Sequence, residues 1–260
     1  ETLGFDGRVV SVGEGEGYAA IARKKNAKVN YQVDLIDEIW KDRPVLSEEP
    51  AFNLDVKYAG ETVASKLARI REEMKEAGTN VHVVSTIDDI CWTLNIRGND
   101  IDFFPLVLSY GIITMDSFEL YIDEKKLDDK LKAKLAKDGV NLHPYNDIYE
   151  DVKKFGSDVV AMIDPGKLNY ALFNNIPENV KTVEKRNPAI LMKAIKNPVE
   201  IENIRKAQIK DSVAHVRFMK WLKENVGKMR ITEMSASDKL DEFRAEMGNF
   251  IRPSFEPISS

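Results

Sequence analysis

The stretch "STIDDICWTLNIRGND", Ser85 to Asp100, concentrates the features of this sequence that decide its fold and suggest a function. It contains two adjacent acids, Asp88 and Asp89, and the single cysteine, Cys91, followed directly by Trp92. It ends in the polar run RGND. The stretch is either a catalytic constellation or the inside of a fold with a loop attached.

The residue types favour an architectural role for the helical part of this stretch, "IDDICWTLN". Adjacent acids point to different sides of a helix, so Asp88 and Asp89 are poorly placed to work as a carboxylate pair. An unpaired cysteine and a tryptophan are typical of a core, which predicts that Cys91 and Trp92 are buried. A thiol nucleophile also needs a basic partner, and the sequence places none of the three histidines beside Cys91.

The polar run after this helix predicts a tight turn in which Arg97 pairs with Asp100 or Asp102. Because Arg97, Asn99 and Asp100 follow an apolar helix and look exposed, they form a candidate loop over a substrate cleft.

Strands and helices alternate on both sides of this stretch, from about residue 61 to residue 192. The segment "TVASKLARIREEMKEAG" predicts a helix with an apolar stripe that ends at Gly78, and "NVHVVS" predicts a strand. The segment "PLVLSYGIITMDSFELYID" predicts a pair of strands. This alternation indicates an α/β architecture, a mixed sheet with flanking helices. Residues 47–60 show no sustained periodicity and are predicted to be a linker.

The segment before the linker contains an approximate dinucleotide-binding pattern, "VGEGEG", between a predicted strand, "GRVVSV", and a predicted helix. The glycines Gly13 to Gly17 and the later acid Asp34 resemble the fingerprint in kind. The third glycine comes one residue early, and Glu14 and Glu16 would repel a pyrophosphate. The alternative is a flexible turn between strand and helix, which we favour.

The last part of the sequence is helical. Asn197 is the expected N-cap of a helix that begins at Pro198, with Glu200 placed to reach back to the cap. Thr232 is the expected cap of a second helix. Asp211 lies on the apolar stripe of the first helix and needs a basic or backbone partner, while His215 alone is too little for a metal site.

Composition excludes several functions. A formal net charge of −5 gives no electrostatic reason to expect nucleic-acid binding. The apolar runs are too short to span a bilayer and no signal-peptide pattern opens the sequence, so no membrane association is expected. A single cysteine fits a reducing compartment, and a cytoplasmic location is therefore predicted.

Taken in order, these segments resemble the three-domain Xaa-Pro aminopeptidases of the pita-bread metallopeptidase family. The resemblance covers nearly the whole chain. Its matching segments are "DLIDEIWKDRP" (34–44), "YAGETVASKLARIREEMKEAG" (58–78), "STIDDICWTLNIRGNDIDFFP" (85–105), "SYGIITMD" (109–116), "KAIKNPVEIENIRKAQIKDSVAHVRFMKWL" (193–222) and "ITEMSASDKLDEFR" (231–244).

The resemblance implies a division of the chain into parts of that architecture. Residues 1–46 correspond to the tail of a first creatinase-like domain, and residues 61–192 to a second, complete creatinase N-terminal-like domain. Residues 193–260 correspond to the initial helices of a truncated pita-bread domain, with "RPSFEPISS" (252–260) as its first core strand. Both ends of the sequence accordingly look cut.

The resemblance also implies a function for the parent protein, the removal of an N-terminal residue that precedes proline. In the family two divalent metal ions, usually manganese, hold the attacking hydroxide, and all of their ligands would lie beyond residue 260. No catalytic or metal-binding residue is therefore assigned to this chain, which is expected to be inactive by itself. A homodimer is expected for the parent, whose substrates are peptides with proline at the second position. The alternative is a non-catalytic creatinase-like module for binding or dimerisation.

Overall fold

The computed structural model describes residues 1–258 as short strands and helices that alternate along the chain. The strands are β1 (Thr2–Gly4), β2 (Lys28–Asn30), β3 (Phe52–Asn53), β4 (Val81–Val84), β5 (Ile96–Arg97), β6 (Tyr110–Thr114), β7 (Phe118–Tyr121), β8 (Val140–His143), β9 (Val160–Ile163) and β10 (Lys181–Glu184). The helices are α1 (Val12–Lys24), α2 (Leu35–Ile39), α3 (Val56–Ala59), α4 (Val63–Glu76), α5 (Ile87–Leu94), α6 (Asp129–Lys137), α7 (Ile148–Asp151), α8 (Tyr170–Asn174), α9 (Pro188–Ala194), α10 (Pro198–Asn225) and α11 (Glu233–Glu246).

A six-stranded mixed sheet organises the middle of the chain, in the order β10-β9-β4-β6-β7-β8. Strand β4 runs parallel to β9, which runs parallel to β10. On its other side β4 is antiparallel to β6, and β6 is antiparallel to β7. Strand β8 closes the sheet in parallel with β7. The predicted α/β class with a mixed sheet is confirmed.

Two hydrophobic cores cover the sheet. One contains Leu67 and Met74 of α4 together with Phe118 and Leu120 of β7. The other contains residues of α7 and α8 together with alternate residues of the same central strands, such as Val83 of β4. Successive strand side chains point to opposite faces, so one short strand contributes to both cores.

Helix α4 forms where its pattern predicts. The Thr62 side chain accepts a hydrogen bond from the Ser65 N–H, which satisfies a free amide of the first turn. The apolar stripe is buried, with Leu67 and Ile70 1% and 0% exposed. Gly78, just beyond the helix, has a φ of +67°, a conformation that glycine adopts without strain.

The amino-terminal segment differs from its prediction. Helix α1 begins at Val12, so Gly13 and Gly15 lie inside a helix and not in a flexible turn. A reciprocal hydrogen-bonded cap between Ser11 and Glu14 starts the helix. The backbone of Val12 donates to the Leu168 carbonyl at 2.9 Å, which docks the helix start against the loop before α8. These tertiary bonds replace the predicted strand over residues 7–12.

The predicted linker, residues 47–60, contains regular structure of its own. Strand β3 pairs antiparallel with β5, and α3 follows it. The Ala51 N–H donates to the Lys126 carbonyl at 2.8 Å. Short paired elements of this kind carry too few residues to show periodicity, so the sequence pattern missed them.

Helices α10 and α11 begin at their predicted caps. The Asn197 side chain accepts from the N–H groups of Val199 and Glu200, and the Glu200 carboxylate reaches back to Asn197. Thr232 caps α11. The predicted strand over residues 252–260 is absent from residues 252–258, and Ser259 and Ser260 lie outside the described residues. No helix within residues 1–258 combines the length and apolarity needed to cross a bilayer.

Gly15 and Gly17 of α1 should respond oppositely to alanine. A Cβ at Gly15 would lie 2.2 Å from the Tyr170 ring, whereas a Cβ at Gly17 would meet nothing within 4 Å. We expect Gly15→Ala to destabilise the fold by about 1–3 kcal/mol through overpacking. Gly17→Ala should stabilise it by about 0.5–1 kcal/mol, because alanine loses less entropy in a helix. Urea denaturation of both variants checks this, and equal effects at the two positions would contradict it.

Candidate functional site

Two adjacent acids at the start of α5 bind one lysine of α9. The Lys193 ammonium lies 2.8 Å from the Asp89 carboxylate and also contacts the Asp88 carboxylate. The Asp89 side chain is 2% exposed and that of Asp88 is 51% exposed. The two acids differ in burial, as expected for adjacent residues of a helix, and the long lysine side chain from another element nevertheless reaches both. Partial burial opposes its charge, but hydrogen bonds to both acids raise the pKa of Lys193.

Asp89 continues into a buried hydrogen-bond network. Its Oδ2 accepts from the Thr86 hydroxyl at 2.6 Å and from Asn187 Nδ2 at 2.9 Å. Asn187 Oδ1 accepts from the Ala189 N–H, which caps α9, and lies 3.2 Å from His82 Nε2. The network therefore connects the central strand β4, which carries His82, to α5 and α9.

His82 is fully buried at the inner end of this network. Its Nδ1 lies 3.1 Å from the Met162 carbonyl oxygen of β9. Burial lowers the pKa of His82, although its hydrogen bonds and the neighbouring acids Asp89 and Asp164 act in the opposite direction. A neutral ring that cross-links two strands is a structural group and not a general base exposed to substrate.

Cys91 and Trp92 are core residues, as predicted, with 0% and 6% exposure. The Val107 N–H lies 3.4 Å from the Cys91 Sγ. Burial raises the pKa of the Cys91 thiol to about 11, so it stays protonated at neutral pH. A protonated, enclosed thiol has no nucleophilic role.

Lys66 of α4, which sequence reasoning missed, lies directly against Trp92. Its ammonium donates to the Trp92 carbonyl at 2.7 Å and to Asn95 Oδ1 at 2.6 Å, and it lies 4.4 Å from the centre of the Trp92 ring. Burial lowers the pKa of Lys66 to about 8, and the nearby Arg97 guanidinium acts in the same direction. No carboxylate within residues 1–258 lies within ion-pair distance of it, so carbonyl dipoles and the indole face stabilise this cation.

The three polar residues of the candidate substrate-cleft loop, Arg97, Asn99 and Asp100, lie in different environments. Arg97 Nη1 donates to the carbonyls of Cys91 and Ile96, both at 2.8 Å. The predicted pairing of Arg97 with Asp100 or Asp102 is wrong, because the guanidinium instead binds these carbonyls of α5 and β5. Asn99 is partly exposed and contacts Arg252, from the segment that follows α11.

Asp100 forms a buried ion pair with Lys126, at 2.5 Å between Oδ2 and Nζ. The two side chains are 1% and 2% exposed. The same oxygen accepts from the Leu108 N–H at 2.7 Å, while Asp100 Oδ1 is buried without a partner among the described residues. The exposure that suggested a substrate contact is thus missing at the Asp100 side chain, whereas Arg97 and Asn99 are both partly exposed.

The other candidate residues are not brought to this region. Asp34 caps α2 and pairs with Arg43 at 2.6 Å, so it does not serve the Gly13–Gly17 pattern as a ribose acceptor. Asp211 pairs with Arg244 of α11 at 2.8 Å, which is the basic partner that its position on the stripe required. His215 is exposed on α10.

The polar clusters around α5 can therefore position elements, but the described residues do not form a metal site. Within residues 1–258, no three His, Cys, Asp or Glu side chains come together as a possible metal site.

A model of the creatinase/prolidase N-terminal domain matches residues 42–200. The chain belongs to this family.

Relatives of this family member include longer proteins with a named activity. A probable Xaa-Pro aminopeptidase P of Neurospora crassa is 36% identical over 239 residues, which are 87% of this chain and 35% of the relative. Xaa-Pro aminopeptidase 1 of Dictyostelium discoideum is 35% identical over 274 residues, 99% of this chain and 43% of the relative. The chain thus spans less than half the length of the curated relatives it matches.

A solved structure matches the whole creatinase-like chain closely. It is X-prolyl aminopeptidase of Caenorhabditis elegans, described as a cytosolic enzyme with a di-nuclear active site. The TM-score is 0.94 at 30% identity, over 100% of this chain and 43% of that one. The predicted creatinase N-terminal-like fold and the resemblance to Xaa-Pro aminopeptidases are confirmed.

Removing one partner of the buried Asp100–Lys126 pair should be costly. Lys126→Met leaves an uncompensated buried carboxylate, and we expect a loss of about 3–5 kcal/mol in the free energy of unfolding. Adding Asp100→Asn to that variant should restore part of the loss, since the amide oxygen can still accept from the Leu108 N–H. Lys125→Met is the matched control, because the Lys125–Glu48 pair is exposed, and it should leave stability unchanged. Chemical denaturation measures all three, and equal losses for Lys125 and Lys126 would contradict the buried role.

The lowered pKa of His82 predicts a loss of stability in mild acid. The unfolded chain binds a proton near the usual pKa of about 6.5, whereas the folded chain binds it only at lower pH. The stabilising effect is present above about pH 6.5 and is lost as the pH falls below it. Denaturation at several pH values between 7 and 5 should show this loss. It should be smaller in His82→Gln and retained in His215→Gln, and an identical pH profile for all three proteins would exclude His82 as the cause.

Proposed function

We propose that this chain is the amino-terminal and middle part of an Xaa-Pro aminopeptidase, which removes an N-terminal residue preceding proline. The observation that carries the proposal is the match to the C. elegans X-prolyl aminopeptidase, at a TM-score of 0.94 over the whole chain. Residues 1–46 are then the tail of a first creatinase-like domain, residues 61–192 a second one, and residues 193–260 the start of the catalytic domain.

The described residues do not fit a dinuclear metal centre, since no group of three ligand side chains comes together among them. We therefore assign the centre of the parent, with manganese as the expected metal, to residues outside this chain. No step of the hydrolysis is assigned to residues of this chain, which we expect to be inactive alone.

The contribution of this chain is to hold α10 in a fixed position. Asn197 Nδ2 donates to the Ala59 carbonyl at 2.8 Å, and Asn203 Nδ2 donates to the Lys57 carbonyl at 3.2 Å. These amides satisfy carbonyls at the end of α3, which have no partner within that helix. Helix α10 thereby begins at a defined place against the creatinase-like module.

The remaining expectations for the parent are proposals of the same kind. We propose a cytosolic homodimer that acts on peptides with proline at the second position. The alternative, a non-catalytic module for binding or dimerisation, differs in one measurable respect, because its longer natural protein would not cleave such peptides.

A comparison of this chain with its longer natural protein tests the proposal. Both are incubated with an Xaa-Pro peptide and with the same peptide carrying alanine in place of proline. We expect the longer protein to cleave only the first, with loss of activity in a chelator and recovery on adding Mn²⁺, and the present chain to cleave neither. Chelator-sensitive cleavage of the Xaa-Pro peptide by the present chain would overturn the assignment of the centre to residues outside it.

The same assay tests the substrate-cleft loop at Asn99, whose side chain is partly exposed. In the longer protein, Asn99→Ala should raise KM for Xaa-Pro peptides at unchanged stability, because the side chain lies at the loop surface. Arg97→Ala is the matched comparison and should lower stability, because Arg97 binds the carbonyls of Cys91 and Ile96. An unchanged KM for Asn99→Ala would remove the loop from the substrate site.

A further inference from the structure

The sheet has a topological switch point between β4 and β9. These neighbours are parallel, but the chain leaves β4 towards β6 on one side and leaves β9 towards β10 on the other. Connections that diverge in this way leave a crevice at the carboxyl ends of the two strands, where α/β proteins commonly bind ligands. Here Ser85 follows β4, and its hydroxyl donates to the Lys167 carbonyl in the loop after β9 at 2.9 Å.

A cavity of about 530 Å³ lies at this crevice, and we name it the edge cavity. Ser85, Gly166 and Lys167 form the wall on the side of the sheet, and Tyr110 at the start of β6 adjoins them. The opposite wall is the segment Arg8–Ser11 together with Glu14, where α1 begins. The volume is in the range of small-molecule sites, which is about 300–1,000 Å³.

The charges lining the edge cavity are mainly positive. Arg8 and Lys167 line it, and within residues 1–258 neither cation lies within ion-pair distance of a carboxylate. The one lining acid, Glu14, is already engaged, because its Oε2 accepts from the Ser11 N–H at 3.2 Å and from the Ser11 hydroxyl at 2.9 Å. Two cations therefore face one carboxylate that is committed to a helix cap.

Arg8 is held in position before any ligand arrives. Its guanidinium lies 4.4 Å from the centre of the Tyr149 ring, and its Nη1 donates to Asn146 Oδ1 at 3.3 Å. Stacking leaves the edge of the guanidinium, with its other N–H groups, free to donate to a planar oxyanion.

The tyrosines beside Arg8 add no negative charge. The Tyr110 and Tyr149 hydroxyl oxygens are 3.1 Å apart, and Asn169 Nδ2 donates to the Tyr149 hydroxyl at 3.1 Å. Burial raises the pKa of both tyrosines, so they remain neutral at physiological pH. Tyr110, which lines the cavity, therefore presents no phenolate to an anion there.

We propose that the edge cavity binds a small organic oxyanion, a carboxylate or a phosphate compound, with Arg8 and Lys167 as its charged partners. This proposal does not depend on the proposed function of the parent. Its volume admits a molecule with a body of several heavy atoms.

Titration of the 260-residue chain tests this at constant ionic strength, with inorganic phosphate, succinate and the neutral analogue succinamide as probes. Backbone amide chemical shifts report both the affinity and the place of binding. We expect saturable shifts at Ser85 and Lys167 with phosphate, succinate or both, and none with succinamide. Tighter binding of succinate would indicate a carboxylate as the ligand, and tighter binding of phosphate would indicate a phosphate compound.

Charge-neutralising variants supply the control. Arg8→Gln and Lys167→Gln should each weaken binding about tenfold, the usual scale for losing one charge-assisted hydrogen bond. Lys181→Gln removes the same charge at the start of β10, and should leave binding unchanged. This residue lies at the amino-terminal end of the parallel strands, whereas the cavity lies at their carboxyl end. Because Arg8 packs on Tyr149, Lys167→Gln, at an exposed residue, decides the matter if Arg8→Gln is unstable. Shifts that do not saturate, that follow ionic strength alone, or that weaken equally with Lys181→Gln would overturn the proposal.

Discussion

The arrangement of this chain depends on the hydrogen bonds and the ion pair that the buried Asp89 carboxylate forms. The residue is 1% exposed, so its charge requires donors from the protein. Thr86, Asn187 and Lys193 supply them, one from the entry to α5 and two from the α9 region. Asn187 also caps α9, so its bond to Asp89 connects the start of that helix to α5.

The position of α9 in turn determines where α10 begins, because only residues 195–197 separate the two helices. A second contact fixes the same point. Gly60 has a φ of +71°, and a Cβ there would lie 2.2 Å from Asn197 Oδ1, so the end of α3 approaches the cap of α10 as closely as only glycine permits. Side chains farther along α10, such as Ile209 and Val216, are 65% and 69% exposed. The module therefore contacts α10 through Asn197 and Asn203, near the start of the helix.

The sequence predicted those features that short-range interactions determine. The cap of α10 by Asn197 and the core positions of Cys91 and Trp92 follow from local patterns, and the structure agrees with them. The contact of Asp88 and Asp89 with Lys193 joins residues more than one hundred positions apart, and no periodicity encodes it.

The start of α1 also shows that distant contacts can override a local sequence pattern. Its glycines suggested a turn because glycine disfavours helix interiors, but bonds to the carbonyls of Pro165 and Leu168 fix the helix start at Val12. Gly15 is required there for its missing side chain, since the Tyr170 ring occupies that space. From the sequence alone, a glycine needed for a flexible backbone cannot be distinguished from a glycine needed for close packing. The structure decides between them, because it shows the side chain that packs against the glycine.

The edge cavity and the Asp89 network meet at two consecutive residues. Ser85 lines the cavity and bonds to Lys167, whereas the next residue, Thr86, donates to Asp89. A ligand that draws Lys167 inward therefore acts on the loop that also supports α9. Because the Ser85–Lys167 bond joins the loops after β4 and β9, an oxyanion bound by Lys167 would lie beside the residue that precedes the Asp89 network.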